Sequence, residues 1–160
     1  MKRRAGSVRP FRLPGLLLLL AVALQSGTVE AGWRFAEWGM SRDEVIAASG
    51  GEVKPHYETN RESWGEYPAA KGVANEMKHR FEVWYYIDPY DGLYAIRLVP
   101  QGFYWCIDIR DQSMQRWGYR DLRYEDQNPT WRKPEENNRI SIIGFQGCSV
   151  KIERLDTLTE

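Results

Sequence analysis

Trp38-Gly39-Met40-Ser41-Arg42-Asp43-Glu44-Val45-Ile46 holds a complete helix start, and the rest of the chain is read outward from it. Ser41 and Glu44 have the S-x-x-E spacing of a capping box, in which the hydroxyl accepts from the Glu44 backbone N–H and the carboxylate reaches back to that of Ser41. Met40 and Val45 stand at the N′ and N4 positions of a hydrophobic staple, and Asp43 and Glu44 put negative charge at the positive end of the helix dipole. The spacing predicts a helix that begins at Arg42 and stops at Gly50-Gly51, where glycine allows a left-handed terminus. Later elements are expected to pack onto this helix. A cap contributes about 1 kcal/mol to folding and performs no reaction.

The strongest strand signal is Arg80-Phe81-Glu82-Val83-Trp84-Tyr85-Tyr86-Ile87, in which Phe81, Val83, Tyr85 and Ile87 alternate onto one face. Asp88-Pro89-Tyr90-Asp91-Gly92 is a turn, and residues 93–99 return as the antiparallel partner. Trp84 and Tyr86 fall on the opposite face with Glu82 and form a candidate interaction patch, with packing beneath a loop as the alternative. Asp88 and Asp91 lack the ligand series of a calcium loop, and turn chemistry accounts for both.

Residues 104–117 take a helical period with Ile107, Arg110, Met114 and Trp117 on one side, and Gly118 is the terminator. Residues 140–143 and 148–152 read as two strands about the Gly144-Phe145-Gln146-Gly147 turn, with a further strand near 130–132. Residues 53–67 are polar and read as loops with one or two short strands, and 155–160 should fray. Trp33, Phe35 and Trp38 are expected to close over a core edge, a ligand platform being the other reading. The order helix, hairpin, helix, hairpin predicts an α+β domain of two short helices packed on antiparallel β-hairpins, a loose internal duplication.

The 160 residues divide into a leader, 1–31, and one domain, 32–160. Basic residues through Arg12 precede an apolar run at 16–24 of signal-peptide length, and Val29 and Ala31 are the small residues before a cleavage at Gly32. An uncleaved N-terminal helix is the alternative. Five bases and one acid fall in the leader, so the remainder carries 17 bases against 21 acids, a poor balance for nucleic acid or an anionic membrane. The expected location is the periplasm or the exterior. There Cys106 and Cys148 can persist as a disulfide; the rival reading makes Cys106 a nucleophile with His56 or His79 as base. Neither histidine has a second ligand at metal spacing, so no metal or cofactor is expected.

The Gly39-Met40-Ser41-x-x-Glu44-Val45 opening with its glycine stop resembles the start of the SmpA/OmlA small outer-membrane lipoproteins and of the related β-lactamase inhibitory protein domains. It is similar as well to small uncharacterised exported proteobacterial proteins with a Gly-Met-Ser helix start, a turn at Gly92-Leu93 and a cysteine before the second helix. The resemblance implies a helix followed by antiparallel sheet. No cysteine stands at the leader junction where those lipoproteins carry their lipid, and no inhibitory residue is carried over.

No G-x-S-x-G elbow, H-E-x-x-H, phosphate-cradling glycine loop or Cys-x-x-Cys is present. The first expectation is therefore a non-catalytic exported module that binds an unknown protein or envelope component through the exposed side of its sheet. A small periplasmic hydrolase using a carboxylate pair and a secreted enzyme inhibitor are the alternatives.

Overall fold

A computed structural model describes residues 32–56, 67–102, 106–144 and 148–157. The leader and its cleavage point lie outside the described residues, as do the centre of the Gly144 turn and the last three positions.

Helix α1, Arg42–Ala48, forms where the capping box places it: Ser41 N donates to Glu44 Oε2 at 2.8 Å, and Glu44 N donates to Ser41 Oγ at 3.4 Å. Gly50 and Gly51, both at positive φ, end the turn that follows. Strands β1 (Lys54–Pro55), β2 (Ala70–Glu76), β3 (His79–Asp88) and β4 (Gly92–Pro100) come next, then helix α2 (Cys106–Trp117), then β5 (Leu122–Glu125), β6 (Asn128–Lys133), β7 (Asn138–Ile143) and β8 (Ser149–Arg154). One helix and four strands thus occur twice in the chain. All eight strands join one sheet in the order β1-β2-β3-β4-β8-β7-β6-β5, and every neighbouring pair is antiparallel. The two runs of four meet where β4 pairs with β8, with Ile96 opposite Ile152 and Leu98 opposite Val150.

The sheet, not α1, is what the other elements pack on. A seven-residue helix has only two turns to offer a core, and α1 buries Val45 alone. Phe81, Val83, Tyr85 and Ile87 share one face with Ile96, Leu98, Ile140, Ile152 and Trp131, and Val45, Ile109, Trp33 and Trp38 close over it in the same cluster. The aromatic residues before α1 are therefore core cover. Trp38 Nε1 donates to Asn138 Oδ1 at 2.9 Å, so its polar edge is satisfied inside. This segment is tied to β4 by Gly39 N to Leu93 O at 2.9 Å and Leu93 N to Met40 O at 2.8 Å. Glycine is required at 92, because a Cβ there would stand 2.0 Å from Gly39 O and φ is +72°.

The buried side of α2 is not the one its period suggested. Ile109 and Ser113 are buried and Trp117 packs on Trp131 with ring centroids 5.7 Å apart, whereas Ile107 is 61% exposed. The apolar residues of α2 are scattered round a mostly polar helix and do not fix its rotation; the disulfide and the packing of Trp117 on Trp131 hold it. Cys106 and Cys148 are bonded with Cα atoms 5.2 Å apart, which staples the first turn of α2 to the residue before β8.

Candidate binding face on the open side of the sheet

The alternate residues of each strand point away from the helices. On this face the strand register aligns Lys54, Lys71, Trp84, Arg97, Lys151, Ser141, Thr130 and Arg123, one from each strand, in a single row. Trp84 is half-buried within it, with Lys71 Nζ 4.5 Å and the Arg97 guanidinium carbon 5.8 Å from its ring centroid. The Glu82 carboxylate lies 3.2 Å from Lys71 Nζ. Burial pushes the Glu82 carboxyl upward, and the Trp84 indole N–H and Lys71 ammonium facing it outweigh that, so it titrates below the usual range. His56, at the edge of this group, is lowered by burial and then by Lys71. Arg97 Nε donates to Ser149 Oγ at 2.7 Å, which fixes the guanidinium plane.

On β6, β7 and β8 the cations of this face pair with carboxylates. Glu125 takes Arg132 Nε at 2.8 Å and Arg139 Nε at 3.2 Å, and Glu153 lies beside both Arg139 and Lys151. The hydrogen bond from Arg132, with both guanidinium charges, holds the Glu125 carboxyl below its ordinary value against the opposing effect of burial.

The residues singled out in the sequence are dispersed. Trp84 and Tyr86 share the open face as alternation requires, and Tyr86 is 5% exposed and packs against Tyr94. His79 Nε2 pairs with Asp108 Oδ2 of α2 at 2.6 Å on the helix side of the sheet. The disulfide consumes both thiols, so Cys106 is no nucleophile in this state. Asp88 Oδ1 accepts from Tyr90 N at 2.8 Å and Asp91 N at 3.1 Å, the turn role expected for it. Ser41 and Glu44 serve the cap. Among the described residues no group of three His, Cys, Asp or Glu side chains is placed to hold a metal ion. No described helix is long and apolar enough to cross a membrane.

Sequence reading missed Lys71, Arg97, Lys151 and Lys54. Each is an ordinary strand lysine or arginine in the text; the one available signal was the outward parity of 97 relative to Leu98, and it says nothing of which strands stand side by side. A second feature, a cleft of about 770 Å³, opens between the start of α2 and the β5–β6 hairpin. Ile107, Tyr124, Ile142 and the disulfide line it, with Arg110 and Asp126 as its charged groups. Compared with family models, curated proteins and solved structures, the chain matches none.

Proposed function

We propose that this protein is a non-catalytic, exported α+β module that binds a protein or envelope component through the open face of its sheet, with Trp84 at the centre. The observation that carries the reading is the Trp84 group itself: a half-buried indole flanked by two cations, on the sheet face opposite the helices. Aromatic and arginine side chains together are the residues that most often dominate binding energy at interfaces. The carboxylates of this face, Glu82, Glu125 and Glu153, each pair with cations, which favours a binding role over paired-carboxylate hydrolysis. Export of the domain, with 1–31 as a removed leader, agrees with a disulfide that persists in an oxidising compartment. The twice-occurring helix and four strands support reading the domain as two copies of one unit, and the order within each, a helix followed by antiparallel strands, is the one implied by the likeness to the SmpA/OmlA and β-lactamase inhibitory protein domains.

The test is capture of partners from the envelope fraction by the oxidised protein, with a reduced sample as control. Loss of a captured partner on Trp84→Ala at an unchanged melting temperature is the expected result. Retention of every partner by that variant would remove the face from consideration.

A further inference from the structure

We infer that the occupant of the open face is the acidic surface of another protein, whose carboxylates are received by Arg97 with Lys71 and Lys151 on either side of it. This deepens the reading of the open face as the binding surface and rests on it.

The register sets cation directly opposite cation three times, Lys54 against Lys71, Arg97 against Lys151 and Arg132 against Arg139. Like charges directly opposed across an antiparallel pair oppose folding. For Arg132 and Arg139 the cost is offset within the molecule by Glu125. Arg97 has no such partner: among the described residues it makes one hydrogen bond, through Nε to Ser149, and no ion pair. Its two terminal nitrogens are left unbonded while Ser149 and the face of Trp84 hold the plane still. A half-buried guanidinium fixed at Nε and open at its fork presents the geometry that takes a carboxylate with two parallel N–H donors. Lys71, paired with Glu82 and steadied by Trp84, and Lys151, paired with Glu153 on the strand beside Arg97, flank it on both sides.

The shape and the mixed charge select the class of partner. Small ligands are taken in concave pockets, whereas the row from Lys54 to Lys151 crosses five adjacent strands, roughly 19 Å at the usual strand spacing. Glu82 and Glu153 stand among the cations, so the row carries separate positive centres that carboxylates can meet one at a time, not the unbroken basic stripe that tracks a run of phosphates. The 17 bases against 21 acids of residues 32–160 likewise disfavour nucleic acid and anionic membrane.

Titration of the oxidised protein with poly-L-glutamate tests this. Binding is expected in about 0.05 M salt and should weaken about tenfold or more in about 0.3 M. Arg97→Gln should weaken it about tenfold or more, as the loss of a charged hydrogen bond requires, with the melting temperature unchanged. Lys78→Gln, exposed in the β2–β3 turn away from the row, should leave it as it was. Absence of polyglutamate binding, or equal affinity of Arg97→Gln, overturns the proposal. Tighter binding of duplex DNA or phosphatidylglycerol vesicles than of polyglutamate overturns the assignment to a protein. In the envelope capture, a partner lost on Trp84→Ala but kept by Arg97→Gln sinks the carboxylate assignment alone, and one kept by both variants sinks the binding face with it.

Discussion

The two helices open runs with the same element order and are secured in different ways. Helix α1 is seven residues long, caps itself through Ser41 and Glu44, and buries Val45. Helix α2 is twelve residues long and is held from outside: by the disulfide at its first residue, by Trp117 on Trp131, and by the β2–β3 turn of the other half. Arg116 pairs with Glu76, Asp108 with His79, and Ser113 Oγ lies 3.4 Å from Met77 Sδ, so α2 spans the junction of the two runs. A short helix can be specified by its own ends. A longer one that buries two residues draws its position from distant parts of the chain, because isolated helices of this length are marginal in water.

Breaking the outside attachments of α2 should therefore cost more than breaking the cap of α1. The largest expected effect is at Trp131, fully buried, with Nε1 donating to Gly118 O at 2.7 Å just beyond α2. Trp131→Ala should lower stability by about 3–5 kcal/mol in chemical denaturation, the cost of truncating a buried tryptophan. A loss below 1 kcal/mol would mean that α2 is positioned without it. Next is the disulfide, whose ends are 42 residues apart. Replacing Cys106 and Cys148 together by serine should cost about 3–4 kcal/mol, seen as a lower denaturation midpoint in the absence of reductant. If the double variant and the wild type unfold together, the staple does not set the stability of the second half.

Ser41→Ala in the first half should cost about 1 kcal/mol, and a larger loss than that of the disulfide would reverse the comparison. The smallest effect concerns the neutralised part of the open face. Glu125 titrates below its ordinary 4.5, so the folded state takes up its proton less readily than the unfolded chain. Its contribution is fully present above about pH 4.5 and is lost as pH falls through the folded value. Glu125→Gln should flatten the acid limb of a melting-temperature profile between neutral pH and pH 3, by an amount in the range of about 0.2–1 kcal/mol typical of such pairs. An unchanged acid limb would assign the loss to other carboxylates.

How much of this was legible follows from where each instruction is written. The β3–β4 hairpin stands out because Phe81, Val83, Tyr85 and Ile87 alternate and Gly92 follows a proline turn. Strand β2 gave no such signal. Its Ala70, Gly72 and Ala74 are small because the helix side is crowded there: a Cβ on Gly72 would lie 3.0 Å from Val53 Cγ2. The β2–β3 and β5–β6 hairpins turn through Met77-Lys78 and Asp126-Gln127, all at positive φ, where asparagine-glycine or aspartate-glycine would have announced them. The sheet context, not turn propensity, holds those residues in left-handed conformation. The candidate face was half legible: the parity of Trp84 placed it away from the core, and nothing near it in sequence named Lys71, Arg97 or Lys151 as neighbours.

The amino-acid sequence by itself determined what short-range chemistry controls. It marked the capped start and glycine end of α1, the alternation of β3, the turn at Asp88 and two cysteines available to each other. Only the tertiary structure decided that β4 pairs with β8, which makes one sheet of two four-strand runs and brings Arg97 opposite Lys151 across fifty-four positions of chain. Strand order is settled by which apolar faces can be buried together at once, a property of the whole assembly that no local stretch encodes.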